Sequence, residues 1–153
     1  MSLSLNHFSI RTLDLEATKF FYISVLGLKE GPRPEFPFPG FWLYQGSFDS
    51  YANAAVHIFG IDTKETSGVS QYLGARDESS VQGSGALDHV AFFATELAEM
   101  LERLKGLNID VLRRDVPGLG LHQLFLDDPN GIVIELNYPF SEKQALDNLQ
   151  GQV

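Results

Sequence analysis

The chain has 153 residues, 44 % hydrophobic and 20 % charged, the balance of a folded globular protein rather than a disordered one. Twenty acidic against eleven basic residues leave a formal charge of −9, which repels phosphate backbones and anionic lipid and argues against nucleic-acid or membrane partners. The absence of cysteine excludes disulfides, zinc fingers, iron–sulfur clusters and cysteine nucleophiles.

The first predicted strand, Leu5-Asn6-His7-Phe8-Ser9-Ile10-Arg11-Thr12, mixes β-branched and aromatic residues and has a histidine third. A helix follows from about Asp14 to Leu26, with Asp14 as N-cap, Gly27 as the stop, and Ala17, Phe20, Phe21 and Val25 as its apolar stripe. Three more strands are expected at Leu28–Gly31, Phe41–Gln45 and Ala54–Phe59. Within this half, Arg33-Pro34-Glu35-Phe36-Pro37-Phe38-Pro39-Gly40-Phe41-Trp42 is an aromatic stretch punctuated by proline. It reads either as a stiff connection whose rings pack locally or as a lid or rim over a pocket. From Asp62 to Ala86 the chain is rich in Gly, Ser and acidic residues and reads as a linker or mobile loop.

Leu87-Asp88-His89-Val90-Ala91-Phe92-Phe93-Ala94 then repeats the first strand, its histidine again third. The second helix is expected from Thr95 to Gly106, with Leu97, Met100, Leu101 and Leu104 on one face. Strands follow at Ile109–Arg113, Leu121–Leu126 and Ile132–Tyr138, the last two joined by the turn Asp127-Asp128-Pro129-Asn130-Gly131. The tail from Ser141 is polar, with room for a short helix. Each half is thus β-α-β-β-β: module 1 over about residues 4–61, a linker at about 62–86, module 2 over about 87–139 and a tail at 140–153 of one domain spanning 1–153. Neither half is large enough to stand alone, so an α+β fold of two βαβββ modules packed as a pseudo-symmetric pair is expected. With no apolar run of membrane-spanning length and no basic-then-apolar leader, the expected location is the cytoplasm.

The chemistry-bearing residues fall at equivalent places in the two repeats. Each half has one potential metal ligand on its first strand and one on its last: His7 and His57, then His89 and Glu135. Imidazole and carboxylate without thiolate suit Fe(II), Mn(II), Ni(II), Co(II) or Zn(II). Strand alternation puts His7 with Ser9 and Arg11, His57 opposite Val56 and Ile58, and Glu135 with Val133 and Asn137, each on the less apolar face. His89 is less clean, because Ala91 and Phe93 share its face. A strand histidine taken singly is more often a hydrogen-bonded, partly buried residue than a ligand. A glutamate inside Ile132-Val133-Ile134-Glu135-Leu136-Asn137 requires a partner, because an unpaired buried acid costs several kcal/mol.

On these residues, and on the segment Gln123-Leu124-Phe125-Leu126-Asp127-Asp128-Pro129-Asn130-Gly131-Ile132-Val133-Ile134-Glu135-Leu136, the chain resembles the vicinal oxygen chelate superfamily. That superfamily groups glyoxalase I, methylmalonyl-CoA epimerase, fosfomycin and bleomycin resistance proteins, and extradiol dioxygenases. The resemblance covers nearly the whole chain apart from the linker. It implies two βαβββ modules related by pseudo-twofold symmetry, curving into a cup around one divalent metal, and a homodimer as the usual state. It also implies that His7, His89 and Glu135 are metal ligands. The place of His57 resembles that of a fourth ligand in glyoxalase-like and epimerase-like members, and that of a second-sphere, proton-moving histidine in extradiol dioxygenases. Arg11, Gln123, Phe125 and Asn137 are expected to line the substrate pocket. The extradiol pattern has a tyrosine where this chain has Phe125, and a histidine further upstream than His122, which alternation places on the face opposite Gln123.

The resulting expectation is a metal-dependent enzyme that chelates a small substrate through two adjacent oxygens. It would stabilise an enediolate or enolate in lyase or isomerase chemistry, or a catecholate in ring-cleaving dioxygenase chemistry. The competing expectation is a non-catalytic drug-binding protein of the bleomycin-sequestering type, to whose cationic ligand a charge of −9 is suited. A fosfomycin-type transferase would need a cationic pocket, for which Arg11 is the basic residue on the named strand faces.

Overall fold

The repeat folds twice into the same topology. In the computed structural model, which describes residues 3–62, 67–74 and 81–150, the first compact unit spans Met1–Gly83 and the second Ser84–Val153. The first unit contains β1 (Phe8–Thr12), α1 (Leu15–Lys19), β2 (Lys29–Gly31), β3 (Gly40–Tyr44), β4 (Ala54–Gly60) and α2 (Ser67–Leu73). The second contains β5 (His89–Phe93), α3 (Leu97–Gly106), β6 (Leu112–Val116), β7 (Leu121–Asp127), β8 (Val133–Pro139) and α4 (Phe140–Gln150). The sheets run β1-β4-β3-β2 and β5-β8-β7-β6, so the first and last strands of each βαβββ module lie side by side and parallel. That adjacency brings the first-strand histidine of each module beside its last-strand partner. Among the described residues no helix is long and apolar enough to cross a membrane.

Local chemistry explains the elements. The Asp14 side chain accepts from the Ala17 backbone N–H at 2.9 Å, the cap that opens α1, and the helix closes at Gly27 with φ 83°. Over Phe20–Val25 the helix widens into π geometry, marked by the Leu26 N–H bonding to the carbonyl of Phe21. Phe21, Tyr22 and Val25 are buried there, as are Ile10, Leu43, Val56 and Ile58 of the first sheet. In the second unit Leu97, Met100 and Leu104 of α3 are buried, as are Leu124, Leu126, Ile134, Leu136 and Tyr138 of the sheet. The Asp128 carboxylate accepts from the N–H groups of Asn130 and Ile132, both at 2.8 Å, and so pins the β7–β8 turn and its register.

Two expectations need correction, and the short helix expected in the tail is present. The segment expected as linker includes a helix, α2, though residues 63–66 and 75–80 of it lie outside the described residues. Its Gly68 lies so close to the Pro37 carbonyl that an added Cβ would sit 2.0 Å from that oxygen, so α2 packs on the proline-rich stretch. The second strand of module 2 begins at Leu112 rather than Ile109. The Ile109 N–H closes the end of α3 by bonding to the Leu104 carbonyl at 2.9 Å, with Asn108 left-handed at φ 54°, so Ile109 is spent on the helix terminus. The tail begins directly as an eleven-residue helix, α4, which supports the neighbouring element. Glu142 accepts from the first N–H of α3, at Leu97, at 2.7 Å, where Glu96 in left-handed conformation offers no side-chain cap.

Candidate functional site

In the second unit His89, Glu135, Asn137, Gln123 and Phe125 share one sheet face, as the register dictates: Ala91 pairs with Glu135, and Glu135 with Phe125. Glu135 is buried, 8 % exposed, and both of its oxygens are engaged. Oε1 accepts from Gln123 Nε2 at 3.0 Å and from Asn137 Nδ2 at 2.7 Å. The two amides also bond each other at 2.9 Å, so neither can turn away without losing a bond. Oε2 is left facing His89 Nε2 at 3.2 Å, while His89 Nδ1 lies 2.8 Å from the Asp88 carboxylate. A ring with a carboxylate at each nitrogen is satisfied in two ways. Either an imidazolium donates twice, or a neutral ring donates from Nδ1 and binds a cation through Nε2. Two adjacent ligands of an ion at about 2.1 Å lie about 3 Å apart, so the Nε2–Oε2 pair has the chemistry and spacing of neighbouring metal ligands.

The first unit builds its equivalent face differently. His7 is exposed and its Nδ1 lies 2.6 Å from the side-chain oxygen of Asn6, the counterpart of the Asp88–His89 pair. His57 is buried, and its ring is stacked between those of His7 and Trp42, each with centroids 3.8 Å away and nearly parallel. The cross-strand pairing of Trp42 with His57 creates this stack. Because imidazole lone pairs lie in the ring plane, two rings stacked in this way point their nitrogens side by side rather than at a common point. Burial pushes His57 down to about 4, the charges of His7 and Arg33 acting the same way against a hydrogen bond to the Ala54 backbone. His57 Nε2 is sealed from solvent with no hydrogen-bond partner.

The structure therefore brings His89 to Glu135 and His7 to His57. Among the described residues, no group of three or more His, Cys, Asp or Glu is gathered at metal-binding distance. Gln123 and Asn137 hold the glutamate, and Phe125 stands edge-on to His89 with centroids 6.4 Å apart and the Arg114 guanidinium 4.9 Å over its ring. Arg11 lies on β1, half-buried beside Phe59 of β4. His122 is on the other sheet face, as alternation requires. Its Nδ1 lies 2.6 Å from Asp115, within a cleft of about 260 Å³ that Leu97, Leu101, Lys143 and Leu146 help to line. The hydrogen bond from His122, aided by Lys143, holds the Asp115 carboxyl below its ordinary range.

Sequence reasoning gave no role to Asn6 and Asp88, although both stand immediately before a histidine in the two repeats; that shared dipeptide was the available signal. It also missed Arg33, whose guanidinium lies 4.8 Å over Phe36 and 5.3 Å over Phe38 and whose Nη2 donates to the Phe38 carbonyl at 3.0 Å.

Residues 4–136 match the model of the Glyoxalase/Bleomycin resistance protein/Dioxygenase superfamily. The chain belongs to that superfamily. It is 26 % identical over 136 residues to "Glyoxylase I 4" of Arabidopsis thaliana, covering 87 % of this chain and 69 % of that protein. Among solved structures, it resembles lactoylglutathione lyase from Agrobacterium tumefaciens with a TM-score of 0.59 at 22 % identity, covering 90 % of this chain and 95 % of that one. A glyoxylase/bleomycin resistance protein/dioxygenase domain from Frankia sp. EAN1pec gives 0.60 at 19 % identity, with 90 % and 93 % covered. A genomically encoded fosfomycin resistance protein from Listeria monocytogenes gives 0.57 at 17 % identity, with 90 % and 94 % covered. These neighbours share the glyoxalase-like α+β fold of two modules.

Proposed function

We propose that this superfamily member is a divalent-metal-dependent enzyme of the lyase or isomerase type, acting on a small substrate that presents two adjacent oxygens. His89 and Glu135 would hold the metal together with His7, and His57 would move a proton. The observation that carries the reading is the His89–Glu135 pair. A carboxylate locked by two amides presents its second oxygen 3.2 Å from an imidazole nitrogen whose opposite side is held by Asp88. When bound, the metal supplies Lewis acidity for the charge that develops as a proton leaves the carbon beside the chelated oxygens.

This chain's residues do the rest. The side-chain oxygens of Asp88 and Asn6 accept hydrogen bonds from Nδ1–H of His89 and His7, leaving each Nε2 as a lone pair. Gln123 and Asn137 fix the glutamate without neutralising it, because they donate only N–H groups. His57 Nε2 has no partner and carries the lone pair of a neutral ring; burial lowers its pKa to about 4, so it would be a weak base that returns a proton readily. Its stacking on His7 favours this role over that of a fourth ligand, since parallel rings do not converge on one ion. The missing phenol at Phe125, together with relatives named glyoxylase and lactoylglutathione lyase, favours proton-shuffling over oxygen chemistry.

The test is elemental analysis of protein purified without chelator or metal-affinity resin, beside its His89→Ala variant. About one zinc, nickel, cobalt, iron or manganese per chain, lost in the variant, is expected. Equal metal content in the two would remove the assignment of His89. No metal after reconstitution would overturn the enzyme reading in favour of a drug-binding protein.

A further inference from the structure

The helix-covered face of the second sheet holds the cleft of about 260 Å³, between α3, α4 and the strands β6 and β7. Register decides which side chains of β6 look into it. Arg113 pairs with Leu124 and Asp115 with His122, so Arg113 and Asp115 lie on the face of His122. Arg114, between them, turns to the opposite face and lies over Phe125. Leu97 and Leu101 of α3 and Leu146 of α4 give the cleft apolar walls.

Most of its polar groups are already spent on one another. Lys143 pairs with Asp147 and lies 3.6 Å from Asp115, which also accepts from His122 Nδ1 at 2.6 Å. Two groups are left over. The Arg113 guanidinium has no ion pair and no hydrogen bond among the described residues. His122 is only 4 % exposed, yet its Nε2 has no partner among them and is not one of the sealed nitrogens. A carboxylate can only accept, so Asp115 fixes the ring proton on Nδ1 and leaves Nε2 as the lone pair of a neutral ring. The cleft thus offers an oriented acceptor and a cation. Arg113 stands two residues along β6 from Asp115, about 7 Å away at the rise of a strand, a span that an arginine side chain covers.

We infer that this cleft is a second binding site, for a short-chain aliphatic hydroxy acid. Arg113 takes the carboxylate, His122 Nε2 accepts from the hydroxyl, and the leucines cover the alkyl body. A plain alkyl acid would leave Nε2 unmet and an alcohol would leave Arg113 unmet, whereas a hydroxy acid serves both. The volume is below the roughly 300–1,000 Å³ of sites for drug-sized ligands, which keeps the occupant small. Because His122 and Glu135 lie on opposite faces of the sheet, the inference does not depend on the proposed metal chemistry.

The experiment is a calorimetric titration of 2-hydroxy-4-methylpentanoate into the full chain, freed of metal with chelator. Beside it run 4-methylpentanoate, which lacks the hydroxyl, and 2-hydroxy-4-methylpentanamide, which lacks the charge. Saturable binding of the hydroxy acid is expected, with the amide at least about tenfold weaker and the plain acid about three- to tenfold weaker. Arg113→Gln, a change at an exposed position, should bring the hydroxy acid down to the level of the amide. His122→Leu should bind the two acids equally; if circular dichroism finds that variant unfolded, the parent and Arg113→Gln decide. No saturable binding, equal affinity of the parent for the hydroxy acid and either control, or an affinity untouched by Arg113→Gln would overturn the inference. So would a hydroxyl preference that survives in folded His122→Leu. A 2-hydroxy acid can also chelate an ion through its two oxygens, so the titration is repeated on zinc-loaded protein. Binding that needs zinc and ignores Arg113 would overturn the cleft site while leaving the metalloenzyme reading intact. Binding that follows Arg113 in a protein that takes up no metal would do the reverse.

Discussion

The two modules share one strand order and one placement of candidate ligands, yet their open faces have opposite chemistry. Around Glu135 the polar groups satisfy one another: two amides, a carboxylate and an imidazole form a closed hydrogen-bonded set. Around His57 they do not. There the rings of His7, His57 and Trp42 stack, and three nitrogens are left without partners. A closed network fixes its members in advance, which suits a metal ligand whose position must not vary. Buried nitrogens without partners cost stability by themselves, so this face is held by ring stacking rather than by hydrogen bonds. One strand order thus carries a hydrogen-bonded polar face on one module and a stacked aromatic face on the other.

The most severe way to break this contrast is Glu135→Ala. It removes a proposed ligand and the acceptor that Gln123 and Asn137 share. Metal affinity should fall by more than about 100-fold, beyond the range of second-sphere changes. Thermal or urea unfolding should also show a loss of about 1–3 kcal/mol, because two buried amides lose an ionised partner. Unchanged metal affinity would mean that the closed network is purely structural.

His57→Ala probes the other face. The stack predicts that metal content stays near the parent value while turnover of a vicinal-oxygen substrate falls by about 100-fold or more, the contribution of a positioned acid–base group. Metal lost together with activity would instead make His57 a ligand and require the His7–His57 stack to open.

Asn6→Ala and Asp88→Ala compare the same position in the two modules. Each removes the oxygen that holds Nδ1 of the following histidine. Second-sphere partners of this kind typically change metal affinity by about 10–100-fold. Asp88 should lie at the upper end, because its carboxylate also adds negative charge beside a bound cation, and Asn6 at the lower end. A competition titration with a chromophoric chelator measures both, and equal losses would erase the asymmetry.

Much of this arrangement was legible in the sequence because it depends on backbone chemistry. The β-α-β-β-β order follows from alternation, from the Asp14 cap and from the Asp128 turn, and these local signals survive intact in the structure. The shared face of Glu135, Asn137, Gln123 and Phe125 follows from period-two parity, as does the exclusion of His122. What alternation does not encode is which rings meet across strands. The Trp42–His57 stack depends on the register of β3 with β4, and the place of Arg33 depends on how Pro32–Pro39 packs over Phe59 and α2. The second strand of module 2 was misplaced for a related reason. A helix terminus and a strand competed for the Ile109 N–H, and the helix won through the left-handed turn at Asn108.

The smallest expected effect lies on the helix-covered face, where it separates fold from site. Asp115 takes a hydrogen bond from His122 and lies 3.6 Å from Lys143 of α4, which also pairs with Asp147. The folded protein therefore holds the Asp115 carboxyl below 3.8, its ordinary value. A carboxylate whose pKa is depressed on folding stabilises the fold at pH values above the unfolded pKa, and that stabilisation disappears as the pH falls through the folded value. Asp115→Asn should accordingly lower the thermal midpoint by a small amount at neutral pH, since the group is largely solvated. The gap between variant and parent should shrink steadily below about pH 4. Metal content should be unchanged, because Asp115 and His122 face away from Glu135. A midpoint difference that stays constant down to pH 2 would assign the effect to shape rather than charge, whereas a loss of metal would mean that the two faces of this sheet are coupled through β7.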